Sequence, residues 1–149
     1  MVNNTGRTLA LDVGDVRIGV AVSDPLGVTA QGLFVLERVG IRKDTTKIME
    51  TVREHGCSRV VVGLPLKLDG TDSPQTEKVR AFADALGNKL RSNGLADVEI
   101  VFHDERFSTK IAESVLIEGG VRREKRKEVV DKQAAVVILQ DYMATLPKT

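Results

Sequence analysis

The sequence predicts an α/β fold built on one five-stranded sheet with an antiparallel edge and a parallel half. Three observations predict it. Three apolar stretches crowd the amino-terminal end with short turns between them, which describes an antiparallel meander. Beyond residue 40 the apolar period switches from two to about 3.6 residues. From there strand-like and helix-like segments alternate, and Arg59 to Leu64 is a continuous Val-rich run of the kind buried on both faces.

Met1 to Arg7 is polar and expected to fray. Thr8 to Val13 reads as the first strand, and the Gly14-Asp15 turn leads into a second from Val16 to Ser23. Asp24-Pro25-Leu26-Gly27 is a turn by composition, and Val28 to Arg38 gives a third, less regular strand. Asp44 can cap a helix that carries Ile48, Met49 and Val52 on one side and ends at Gly56. After the Val-rich strand, Leu64 to Gly70 leaves as a loop, and Ser73-Pro74 starts the next helix with a cap and a first-turn proline. Val79, Phe82, Ala83, Leu86 and Leu90 line one face of that helix. Val98 to His103 is the fifth strand and Asp104 to Phe107 its exit. Ser108 caps a short helix with Ile111, Ala112, Val115 and Leu116 inward, stopped by Gly119-Gly120. Val121 to Val130 reads as a charged connection. From Asp131 onwards Ala134, Ala135, Ile138, Leu139, Tyr142 and Met143 recur at helical spacing. No repeat or linker interrupts the pattern, so one domain over residues 1–149 is expected.

A chain of 149 residues can bury a core without disulfides or structural metal. Its single cysteine, Cys57, allows no internal disulfide. With no apolar run of membrane-spanning length and no leader, this suits a reducing cytoplasm. The formal charge of +1 provides no global field for nucleic acid, so any basic footprint is local. One Tyr, four Phe and no Trp argue against a base-stacking platform.

The residue that needs explaining is Asp12. It sits in Leu9-Ala10-Leu11-Asp12-Val13, a strand-like run where an unpaired charge is costly, so a cation or a metal ion must balance it. Ligands of open α/β sheets collect beyond the carboxyl ends of the parallel strands. Asp12 lies near one such end, His103-Asp104-Glu105-Arg106 at another, and Asp131 opens a helix that could lean over the same edge. Oxygen ligands without a Cys or His cluster suit Mg²⁺ or Mn²⁺ rather than zinc.

Four blocks in order carry a resemblance: Asp12-Val13-Gly14 with Arg17-Ile18-Gly19-Val20-Ala21 and Ser23-Asp24; Val62-Gly63-Leu64-Pro65-Leu66 with Asp69-Gly70; Asp104-Glu105-Arg106-Phe107-Ser108-Thr109; and Val130-Asp131 before Ala134-Ala135. Together they resemble the YqgF/RuvX family of RNase H-like nucleases, described as pre-16S rRNA processing enzymes and earlier as Holliday junction resolvases. The resemblance implies an RNase H-like fold, with strands 1, 4 and 5 parallel and helices on both faces. It also implies a divalent-cation-dependent phosphodiesterase, with Asp12, Glu105 and Asp131 as the catalytic, metal-holding acids. Such a trio could hold two ions about 4 Å apart, one activating water and one stabilising the leaving 3′-oxygen. Asp15 and Lys132-Gln133 depart from the family pattern, and Lys132 is a cation able to pair with Asp131.

Each acid also has a structural reading. Asp131 at a helix start is an ordinary N-cap, Glu105 beside Arg106 an exposed ion pair, and Asp15, Asp24 and Asp104 turn formers or reserve ligands. His103, at a strand end, is either structural or a group that orients a phosphate. For the nucleic acid itself, Arg122-Arg123-Glu124-Lys125-Arg126-Lys127 packs five cations into six positions. Arg122, Arg123, Lys125 and Arg126, with Arg17, Lys67 and Arg106, are the candidate phosphate contacts. The expected role is 5′ end maturation of pre-16S rRNA by a monomer or weak homodimer. The alternatives are a Holliday junction resolvase acting on branched DNA and a non-catalytic nucleic-acid-binding partner. An actin-like kinase also opens on a strand with Asp-x-Gly, but it needs two such domains to clamp a nucleotide.

Overall fold

The computed structural model describes residues 6–104 and 123–146, with backbone alone for 123–131. Its elements are β1 (Arg7–Val13), β2 (Arg17–Ser23), β3 (Ala30–Glu37), α1 (Ile41–His55), β4 (Cys57–Leu64), α2 (Pro74–Ser92), β5 (Glu99–Asp104) and α3 (Arg123–Ala144). The sheet order is β3-β2-β1-β4-β5. β1 pairs antiparallel with β2, and β2 with β3, while β1, β4 and β5 run parallel. The expected meander and parallel half are both present. The predicted helix at Ser108 and its stop at Gly119-Gly120 lie outside the described residues.

Strand alternation sorts β1 onto two layers. Leu9, Leu11 and Val13 join Ile18, Val20, Val22, Val60 and Val62 in a core closed by Ile48 and Val52 of α1 and by Val79, Phe82, Leu86 and Leu90 of α2. Ala10 faces the other way, with Ala21 and Val61, under Ala135, Ile138 and Leu139 of α3. Small side chains on this second face let α3 lie close to the sheet. The closeness is extreme at Gly32 on β3, where an added β-carbon would stand 2.7 Å from Cγ of Lys132.

Two helix starts show how local chemistry fixes the frame. Ser73 caps α2 as expected: its Oγ accepts from the Thr76 N–H, and Thr76 Oγ1 accepts from the Ser73 N–H. The Thr76 hydroxyl also donates to the Pro65 carbonyl at 2.7 Å, tying the loop after β4 to the helix. α1 differs from expectation, because it begins at Ile41 with Gly40 as its N-cap, three residues before Asp44. Asp44 acts from inside the first turn, accepting from the Val39 and Gly40 N–H groups and from Arg38 Nε at 3.1 Å. The periodicity of Ile48, Met49 and Val52 cannot register that extra turn, which is exposed at Ile41, Arg42 and Lys43.

α3 departs further. Residues 123–130 are helix, not a connection, so Asp131 lies in the helix interior and is not an N-cap. Arg, Lys and Glu are good helix formers, but a run of them shows no apolar stripe to announce it. Among the described residues no helix is long and apolar enough to cross a membrane.

Asp44 is the point of greatest local leverage, since its side chain is fully buried and its Arg38 partner is 19 % exposed. Asp44→Ala would uncap α1 and leave Arg38 without its carboxylate, at a cost of about 3 kcal/mol. Urea unfolding followed by circular dichroism should show the midpoint falling with an unchanged slope.

Candidate functional site

The carboxyl ends of β1, β4 and β5 form one edge of the sheet, and the register sets out what stands there. Asp12 pairs with Gly19 of β2. One step beyond the Leu11–Val62 pair, Asp12 stands level with Gly63 of β4, which pairs with His103 of β5. The row therefore reads Gly19, Asp12, Gly63, His103. By alternation it lies on the α3 face, one row nearer the edge than Ala21, Ala10, Val61 and Val101. Glycine inside a strand costs roughly 0.5–1 kcal/mol and often marks close approach of something else. Here two glycines bracket the one carboxylate of β1, so no β-carbon stands beside it within the sheet.

The turn that follows Asp12 is held from three sides. Gly14 N–H donates to the Arg17 carbonyl at 2.8 Å, an approach so close that a β-carbon on Gly14 would lie 2.9 Å from that oxygen. Arg38 Nη1 donates to the Gly14 carbonyl at 2.9 Å, and its guanidinium sits 5.2 Å from the centre of the Phe82 ring. Gln75 Nε2 reaches the Val13 carbonyl at 3.4 Å. Sequence reading missed Arg38, Asp44 and Gln75 as supports, because none of them shares a motif with Asp12.

Of the predicted acids, Asp12 is half-buried at this edge. Glu105 and Arg106 lie outside the described residues. Asp131 occupies the α3 backbone one turn before Ala135, which packs over Ala10. Among the described residues no three His, Cys, Asp or Glu side chains stand close enough to hold a metal ion. Asp104 is opposite Leu64 and on the face away from Asp12, so it is not a reserve ligand for the same point. Asp24 is a turn former: its carboxylate accepts from the Leu26, Val28 and Thr29 N–H groups, and the Thr29 bond leads in holding its pKa below the ordinary value. Asp15 is exposed and reaches Lys78 at 3.3 Å.

The cations divide as follows. Arg17 Nε is 3.2 Å from Glu37, a partly exposed pair. Lys67 is exposed in a turn closed by the Gly70 N–H on the Lys67 carbonyl. Arg123, Lys125 and Arg126 ride on the first turns of α3, and Arg122 lies outside the described residues.

The profile of the RuvX family, described as a Holliday junction resolvase, matches residues 6–145. The chain belongs to the RuvX family. Among curated relatives, one from Desulforamulus reducens is 47 % identical over 137 residues, covering 92 % of this chain and 96 % of its own. One from Clostridium tetani is 45 % identical and covers 92 % and 95 %. Both carry the name "Putative pre-16S rRNA nuclease". Among solved structures, Thermus thermophilus RuvC in complex with a Holliday junction substrate superposes with a TM-score of 0.57 at 15 % identity, covering 94 % of this chain and 97 % of that one. The yeast mitochondrial Holliday junction resolvase Ydc2 gives 0.60 at 11 % identity, over 96 % and 80 %. These two likenesses concern the fold, which is the RNase H-like fold expected from the motif blocks.

Cys57 takes no part in the edge. In this RuvX chain it is buried at the opposite, amino-terminal end of β4, and burial pushes its thiol up from 9.0 to about 11. At pH 8 that leaves about 0.1 % thiolate, against about 10 % for the unshifted thiol. A thiol-specific disulfide reagent at pH 8 should therefore label the native protein about a hundredfold more slowly than the urea-unfolded chain.

Proposed function

We propose that this RuvX protein is a divalent-cation-dependent phosphodiesterase that trims the 5′ end of pre-16S rRNA in the cytoplasm, working as one subunit or a weak homodimer. The observation that carries the reading is the glycine-bracketed Asp12 at the carboxyl edge. It is supported by relatives up to 47 % identical whose names give that substrate. A half-buried carboxylate with glycine on either side presents oxygen donors of the kind that suit a hard cation such as Mg²⁺ or Mn²⁺. Asp12, Glu105 and Asp131 are the residues that would hold it. When bound, such ions activate water and stabilise the leaving oxygen of an in-line displacement.

The protein's own residues then serve to place the substrate. Arg38, Gln75 and the Gly14 turn hold the β1 end still, so the Asp12 carboxylate is presented from a rigid strand and not from a loop. Arg122, Arg123, Lys125 and Arg126, with Lys67, Arg17 and Arg106, supply phosphate contacts that do not read sequence. The helical backbone over Arg123–Lys127 supports this, because it sets these positions at a regular spacing where a loop would not. End trimming can be done by one subunit, whereas symmetric cleavage of a junction needs two.

Asp12→Asn should lower Mg²⁺- or Mn²⁺-dependent cleavage of a 5′-extended 16S rRNA fragment by at least about a hundredfold without moving the melting temperature downward. A four-way DNA junction run beside it should be cut far less, and preference for the junction would replace the rRNA reading with the resolvase one. Undiminished cleavage by Asp12→Asn would remove the acid from the mechanism. Reversing Arg122, Arg123, Lys125 and Arg126 to Glu should weaken RNA binding at low salt and flatten its salt dependence by about 0.7 log units per lost phosphate contact.

A further inference from the structure

His103 stands two strands from Asp12 in the same row, and the position between them is Gly63. Two strand spacings put the two Cα atoms about 10 Å apart. Asp12 and His103 share one face of the sheet by alternation, and the strand between them contributes no side chain at that level.

The imidazole is braced. Its ring meets Tyr142 of α3 edge to face, with centroids 6.4 Å apart and planes at 86°. The Tyr142 ring is itself covered by the Arg59 guanidinium at 5.8 Å, and Arg59 is tied to Glu99 at 2.8 Å. A stack anchored on β4 and β5 therefore backs His103, which is only half-buried. Among the described residues no hydrogen bond engages its ring nitrogens. A histidine placed for packing alone needs neither a glycine next to it nor a level position with the edge carboxylate. Both neutral tautomers of imidazole keep one N–H donor, so the group can bind an anion without a change of protonation.

We infer that His103 is a substrate-positioning residue, its ring N–H donating to a non-bridging phosphate oxygen of the strand seated over Gly63 beside Asp12. This rests on the proposed phosphodiesterase reading and adds the second wall of the same site. In this reading Gly63 leaves the interval between the two side chains without a β-carbon of its own.

The test compares the parent with His103→Ala and His103→Asn, since Asn keeps an N–H donor of similar reach. With the 5′-extended rRNA fragment and Mn²⁺, His103→Ala should raise KM about tenfold and change kcat less than about threefold. His103→Asn should recover most of the loss, and the Mn²⁺ concentration for half-maximal activity should stay where it is in the parent. An unchanged KM in His103→Ala, or equal damage in both variants at equal melting temperature, would overturn the inference while leaving the nuclease reading intact. If the parent cleaves nothing, the nuclease reading fails, and the inference is decided by fluorescence anisotropy of the same RNA in EDTA. Weaker binding by His103→Ala than by the parent and His103→Asn supports it, and unchanged or absent binding overturns it.

Discussion

The register of β1 is the constraint from which the rest of the edge follows. Leu9, Leu11 and Val13 are at most 5 % exposed on one face, and Ala10 and Asp12 alternate with them on the other. A slip of one residue would reverse every side chain. It would expose three large aliphatic groups, forfeiting roughly 5–9 kcal/mol, and would push a carboxylate into a layer of Val, Ile and Leu. The position of Asp12 at the carboxyl edge is therefore dictated by hydrophobic burial on the opposite face. The edge inherits the rigidity of a core that its own side chains do not touch.

The two faces of the sheet are built to different tolerances, and that difference suits a site. The face covered by α1 and α2 carries Phe82 and nearly all the large aliphatics. The α3 face holds Ala10, Ala21 and Gly32, on which the Lys132 stem lies directly. Close approach of α3 brings the backbone of Asp131, one turn before Ala135, toward the sheet on the Asp12 side. Lys132, which the sequence offered as a rival partner for Asp131, has its stem committed to Gly32. Arg38 joins the two halves of this arrangement: one guanidinium binds Asp44 at the start of α1, the Gly14 carbonyl after β1 and the face of Phe82 in α2. Holding the turn and holding the core are here the same set of bonds.

What the sequence revealed, and what it concealed, follows the range of the interactions. Asp12 was legible because one charge among Leu, Ala and Val is a local anomaly. The Ser73 cap and the buried face of α2 were legible because both are written within a few residues. The start of α3 was not, since Arg123 to Glu128 shows no apolar period and a polar helix resembles a charged loop. Asp44 reads as a cap from its residue type but serves the helix start from inside the first turn, a position that composition does not distinguish from the N-cap itself. The row of Gly19, Asp12, Gly63 and His103 could not be read at all from spacing. Its members are brought level by pairing across four strands, and that register is decided by the whole core.

Charge balance bears on how a chain with a net charge of +1 could hold a polyanion. Several surface cations already face carboxylates: Arg17 with Glu37, Lys78 with Asp15, Arg80 with Asp72, Arg59 with Glu99. Pairs of this exposure are worth about 0–1 kcal/mol each, so a phosphate can displace the carboxylate at little cost. Their presence in the free protein nonetheless lowers the long-range field that would gather any nucleic acid indiscriminately. Along the first turns of α3 the sequence places Arg123, Lys125, Arg126 and Lys127 against Glu124, a local excess of positive charge. The same helix packs Ala135, Ile138 and Leu139 over Ala10, Ala21 and Val61, so this positive segment and the face of the sheet that carries Asp12 belong to one packed unit.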